Sequence, residues 1–66
     1  MDAINLEHSS ERCIDLVFSP DDAGYYLHEY DYRRSRDRVS KRIWTVRADA
    51  ERSLKIGTVK WERWSK

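Results

Sequence analysis

One cysteine, one proline and two glycines are unusually few for a chain of 66 residues. The single cysteine, Cys13, excludes an internal disulfide and any multi-cysteine metal site. With Gly24 and Gly57 as the only glycines, there is no glycine-rich loop to cradle a phosphate. No apolar run approaches the roughly 20 residues of a membrane-spanning helix. The opening MDAINLEHSSER has neither a basic n-region nor an apolar h-region, so no secretory signal is expected there. Repeats, low-complexity tracts and linkers are also missing. The expectation is one small soluble domain over 1–66, cytoplasmic and without contact to a membrane.

What the chain does have is charge and large aromatics. Charged residues make up 38% and hydrophobic residues 39%, a thin core beneath a heavily charged surface. Chains of this size lie near the lower limit for folding alone. Three tryptophans and four tyrosines compensate, since each buries far more area than an aliphatic side chain. The net charge of +1 hides a split: residues 1–31 hold eight acids and one base, and residues 32–66 hold twelve bases and four acids. Such asymmetry points to charged partners, or to two halves that neutralise each other on folding.

The pattern predicts an α+β fold in the order β-β-β-α-β. Residues 1–11 show no clear periodicity and are expected to be poorly ordered, although Ile4 and Leu6 suit one edge of a core. In CIDLVFS, Cys13 to Ser19, the residues Ile14, Leu16 and Phe18 alternate to one face of a strand. SPDDAG reads as a hairpin turn, with Gly24 as a positive-φ exit. A second strand spans Tyr25 to Arg33, and RSRDRVSKR is expected to form a basic hairpin tip. KRIWTV, Lys41 to Val46, is the third predicted strand. A helix follows over about Arg47 to Ile56, with Asp49 and Glu51 early and Arg52 and Lys55 late, the order the macrodipole favours. Val46, Ala50 and Leu54 make its apolar stripe, and Gly57 stands where a C′ glycine ends a helix. Thr58 to Trp64 reads as a last strand, running parallel to the first and third or packed as a tail.

Pairing decides which way the tyrosines of GYYLHEYDYRR face. With a tip at Ser35 to Arg38, Leu27 opposes Val46, Glu29 opposes Trp44 and Asp31 opposes Arg42. With a four-residue first loop, Phe18 opposes Leu27 and Leu16 opposes Glu29. One face then collects Ile14, Leu16, Phe18, Tyr25, Leu27, Trp44 and Val46, a coherent core for the helix to cover. The other face shows Asp15, Val17, Tyr26, His28, Tyr30, Tyr32, Lys41, Ile43 and Thr45. A helix of about ten residues covers one face of a sheet, which leaves the tyrosine face open. A slip of one residue reverses the two faces.

Exposed tyrosines offer rigid contact area with a wet hydroxyl, and aromatics on an open sheet are stacking platforms for bases. Guanidiniums at a hairpin tip suit phosphate contact. The candidate nucleic-acid or partner-binding residues are therefore Tyr26, Tyr30 and Tyr32 with Arg34, Arg36, Arg38 and Arg42. In structural terms the same arginines would equally serve to keep a sheet edge soluble. SKRIWTVRADAERSLKIG, a strand, a short polar break and a helix with small residues, resembles the pattern of AP2-type and integrase arm-type DNA-binding domains. The resemblance covers about Tyr25 to Gly57 and implies a three-stranded sheet laid in the major groove with one helix behind. The acidic first strand and the C-terminal strand depart from it.

Constellations for catalysis are poor, and no enzyme, cofactor or metal is expected. His8 and His28 have no companion at metal-ligand spacing. Cys13 lies between Glu11 and Asp15, acids that raise a thiol pKa and disfavour a nucleophile. Asp21 and Asp22 are explained by turn chemistry. The expected function is a non-enzymatic nucleic-acid-binding module. The alternative is a protein-binding inhibitor of the kind mobile genetic elements carry, such as a phage anti-restriction or anti-CRISPR protein. There an acidic face of Glu11, Asp15, Asp21 and Asp22 would occupy a host protein's nucleic-acid site. The tyrosine face would also serve a homodimer contact.

Overall fold

The computed structural model describes residues 3–65. Four strands, β1 (Ala3–His8), β2 (Arg12–Ser19), β3 (Gly24–Asp31) and β4 (Arg36–Val39), precede one helix, α1 (Arg47–Ile56). They form one antiparallel sheet in the order β1-β2-β3-β4, so α+β holds but the order is ββββα rather than β-β-β-α-β. The extra strand, β1, comes from the segment without periodicity. Its register on β2 shifts between Asn5 and Glu7, and the extra residue, Leu6, packs against the core.

Leu16 pairs with Leu27 and Ile14 with Glu29, two positions from the expected register. The loop between β2 and β3 is Pro20 to Ala23, and Ala23 takes the positive φ of 50° expected of Gly24. Gly24 is needed for another reason. A Cβ there would lie 2.5 Å from Ile43 Cγ2 and 2.9 Å from the Trp44 carbonyl oxygen. That close crossing lets Trp44 form a bridge with Tyr25.

The tip turns at Tyr32 to Ser35, with Ser35 at φ 52°, so β4 is built from RDRV, part of the expected tip. Glu29 opposes Arg38 and Asp31 opposes Arg36, in place of Trp44 and Arg42. Lys41 to Val46 is not a strand. Ser40, buried at 6% exposure, ends the ladder: its hydroxyl accepts the Leu27 N–H at 3.0 Å and donates to the Arg42 carbonyl at 2.8 Å. The chain then leaves the sheet edge and folds Trp44 onto the core.

Helix α1 begins and ends where the sequence predicts. Gly57 at φ 74° closes it, its N–H bonding the Leu54 carbonyl and the Thr58 N–H the Ser53 carbonyl, a Schellman arrangement. Ala50 is fully buried and Leu54 packs beside it, while Val46 is half exposed at the N-cap. The expected parallel last strand is instead an irregular segment that lies antiparallel along β4. Its backbone bonds are Lys41 N–H to Lys60 oxygen, Glu62 N–H to Val39 oxygen and Ser65 N–H to Asp37 oxygen, at 2.7 to 2.8 Å. The core is Ile14, Leu16, Leu27, Trp44 and Ala50, with Leu6, Tyr25, Leu54, Val59 and Trp61 around it.

Candidate functional site

Strand alternation and pairing give the sheet two unlike faces. The helix packs on the face of Ile14, Leu16 and Leu27. On the opposite face the paired rows place Asn5, Asp15 and His28 together, then His8, Cys13, Tyr30 and Asp37, then Val17 and Tyr26. The expected face assignment is thus the one the strand pairs give, with Tyr26, His28 and Tyr30 half buried among themselves and Tyr32 exposed. Tyr30 and Tyr32 meet edge to face at 5.2 Å, and His8 approaches Tyr32 at 6.2 Å. Val17 is buried on this side beside its partner Tyr26.

The face has a sign. No strand position on it carries lysine or arginine, and it carries Asp15 and Asp37. His28 Nε2 stands 2.8 Å from Asp37 Oδ2. The Ser65 hydroxyl, with His28 beside it, holds the Asp37 carboxyl below the usual carboxylate range. Asn5 Nδ2 donates to Asp15 Oδ1 at 2.9 Å and lies 3.2 Å from Cys13 Sγ. Burial, and then the Asp15 carboxylate, push the Cys13 thiol upward, against nucleophilic use.

The candidate arginines lie on the other side. Arg38 is in β4 and opposes Glu29, so its side chain is on the helix face. Its Nε donates to Glu29 Oε1 at 2.6 Å, and its guanidinium lies 4.1 Å from the Trp64 ring centre and 4.7 Å from that of Trp61. Glu29, only 3% exposed, also accepts from Arg12 Nη1 at 3.3 Å, and Arg12 pairs with Glu7. The Arg34 guanidinium lies 5.1 Å from the centre of the same Trp64 ring. Arg36 opposes Asp31, whose Oδ1 accepts the backbone N–H groups of Arg33 and Arg34. Arg42 sits 5.8 Å from the Trp44 ring, beside the helix. The tyrosines are therefore brought together, and Arg34, Arg36, Arg38 and Arg42 are not joined to them on one surface.

The acidic set is dispersed as well. Glu11 is in the β1–β2 turn and Asp21 and Asp22 are in the β2–β3 turn, at opposite ends of β2, roughly 26 Å apart at about 3.3 Å per residue. Only Asp15 is on the tyrosine face. Sequence reading missed Asp37 as its companion acid, because Asp37 was placed in the tip; the missed signal was that a shorter turn makes it the partner of Tyr30. Trp64 was missed as the lid over Arg38.

Comparison with family models, with curated proteins and with solved structures finds no match. Among the described residues no helix is long and apolar enough to cross a membrane, and no cluster of three or more His, Cys, Asp or Glu is arranged to hold a metal ion.

Proposed function

We propose that this chain is a cytoplasmic, non-enzymatic protein-binding module that docks its open tyrosine face on a basic, nucleic-acid-binding surface of a partner protein. The observation that carries the reading is the composition of that face: Tyr26, Tyr30 and Tyr32 around His28, with Asp15 and Asp37 and no cation at a strand position. Tyrosines supply rigid, amphipathic contact area, and carboxylates among them complement lysine and arginine while repelling phosphate. Direct stacking of nucleic acid on this face is less well supported, because the arginines that would neutralise phosphates project from the other side. An inhibitor of the phage-encoded kind is the form this reading takes if the partner is a host nuclease or nucleic-acid-binding enzyme.

The test compares the wild type with two face variants, Tyr30→Ala/Tyr32→Ala and Asp15→Lys, and one tip variant, Arg33→Ser/Arg36→Ser. Each is used to capture protein from the native host, and the captured partner is purified and rebound. The face variants are expected to weaken rebinding tenfold or more, as loss of a central aromatic anchor does. The tip variant is expected to bind within about twofold of wild type, since rim charges contribute little. A gel shift of single-stranded or duplex DNA that the tyrosine changes abolish would replace this reading with the nucleic-acid one. A concentration-dependent dimer that the same changes dissolve would assign the face to a second copy.

A further inference from the structure

The edge where β4 gives way to Trp44 has a feature the tyrosine face does not explain. The backbone bond from Lys41 N–H to the Lys60 carbonyl, 2.8 Å, locks two lysines opposite each other. Like charges at such positions repel. Arg42, held by the Ser40 hydroxyl at its carbonyl and by the Trp44 ring at its guanidinium, adds a third cation. The three surround a pocket of about 400 Å³ whose remaining walls are Trp44, Ser53 and Thr58. Among the described residues no carboxylate lines it. Arg12, Arg38 and Arg47 all meet carboxylates, but among the described residues none of Lys41, Arg42 and Lys60 does. The carbonyls of Ser53 and Leu54, which carry the negative end of α1 toward this pocket, are already capped by the N–H groups of Thr58 and Gly57.

Three cations with no carboxylate partner leave room for an anion, because the negative end of α1 offsets their charge only in part. Beside them stand the hydroxyls of Ser53 and Thr58, the latter donating to the Ser53 carbonyl over a long 3.4 Å and able to rotate toward a ligand. We propose that Lys41, Arg42 and Lys60, with the hydroxyls of Ser53 and Thr58, form a binding site for a phosphate group. The lysines act as point charges, the arginine offers two parallel N–H donors, and the hydroxyls fix the remaining oxygens. The phosphate belongs either to a free nucleotide or to a nucleic-acid backbone, and the site shares no lining residue with the proposed protein-binding face.

Titration of the folded protein with inorganic phosphate, AMP and a thymidine octanucleotide, followed by amide chemical shifts, tests this. Shifts are expected at Lys41, Arg42, Ser53, Thr58 and Lys60 and not at the tyrosine face. Lys41→Ala/Lys60→Ala should weaken phosphate binding at least tenfold while Arg33→Ala/Arg34→Ala leaves it within twofold. Comparable affinities for AMP and the octanucleotide mark a site for one phosphate from either source; an octanucleotide preference of tenfold or more, lost in the lysine variant, marks a backbone site. Equal shifts at the Arg33–Arg36 tip, or the same shifts with sodium chloride at matched ionic strength, would overturn the proposal. Because all variants keep the tyrosine face, failure here leaves the protein-binding reading standing.

Discussion

Arg38→Ala should cost this domain a large part of its stability, although Arg38 looks from the sequence like one more cation of a solvated tip. Its partner Glu29 is 3% exposed, and the side-chain exposures of the pair are 24% and 4%. Removing one member of a buried pair leaves an uncompensated charge and costs about 3–5 kcal/mol. The two tryptophan rings, at 4.1 and 4.7 Å, add about 0.5–1 kcal/mol each where the cation is partly desolvated. Arg12 remains 3.3 Å from the other Glu29 oxygen and offsets part of the loss. A net cost of about 3 kcal/mol follows, against a total stability of roughly 3–10 kcal/mol for a domain of this length. The melting midpoint should fall by about 12–24 °C. Urea melts of Arg38→Ala, and of Arg38→Met, Glu29→Met and the double variant Glu29→Met/Arg38→Met, supply the comparison and complete the cycle. The double variant should be more stable than Arg38→Ala alone, because an apolar pair leaves no charge behind. A cost below 1 kcal/mol for Arg38→Ala, or strict additivity in the double variant, would refute the claim that this pair anchors the open end of the core.

Gly24→Ala should destabilise the fold by about 1–3 kcal/mol, as overpacking does, because the new Cβ meets Ile43 Cγ2 and the Trp44 carbonyl; an unchanged urea midpoint would show that the 43–44 crossing yields freely. Asp37 should titrate below the ordinary carboxylate range in an NMR pH series. Its carboxyl is depressed on folding, so its contribution to stability is present above the unfolded value and is lost as the pH falls through the folded value. Ser65→Ala should move that titration back up; no movement would remove the Ser65 hydroxyl as its cause.

The face assignment was legible because alternation survives even-numbered errors. The expected partner of Leu27 was Val46 and the observed one is Ser40, six residues away. The β2–β3 register differs by two. Even shifts keep each side chain on its side of the sheet, so Ile14, Leu16 and Leu27 were found in the core. The helix was legible because its charge order, its apolar stripe and Gly57 all specify the same ends. β4 was not, since RDRV has one apolar residue and forms a strand through the partners Glu29 and Trp64 supply from elsewhere in the chain. IWTV has strong β-propensity but is drawn out of the sheet by the Ser40 hydroxyl, which takes over a ladder bond, and by the burial of Trp44.

The separation of tyrosines from arginines follows from the same arithmetic. Tyr26, Tyr30, Arg36 and Arg38 all have even numbers, and along one unbroken strand even residues share a face. A hairpin turn intervenes, and the paired residues of β3 and β4 sum to 67, as Tyr30 and Asp37 do. An odd sum pairs each even residue with an odd one, and paired residues share a face. The even arginines of β4 are therefore on the side of Leu27 and Glu29, opposite the even tyrosines. The expected pairing of Asp31 with Arg42 also has an odd sum, so the two sets belong to different faces under either register. Their functional variants should accordingly be separable: changes at Tyr30 and Tyr32 act on a ligand of the open face, while changes at Arg38 act on folding and those at Arg42 on the basic pocket beside Trp44.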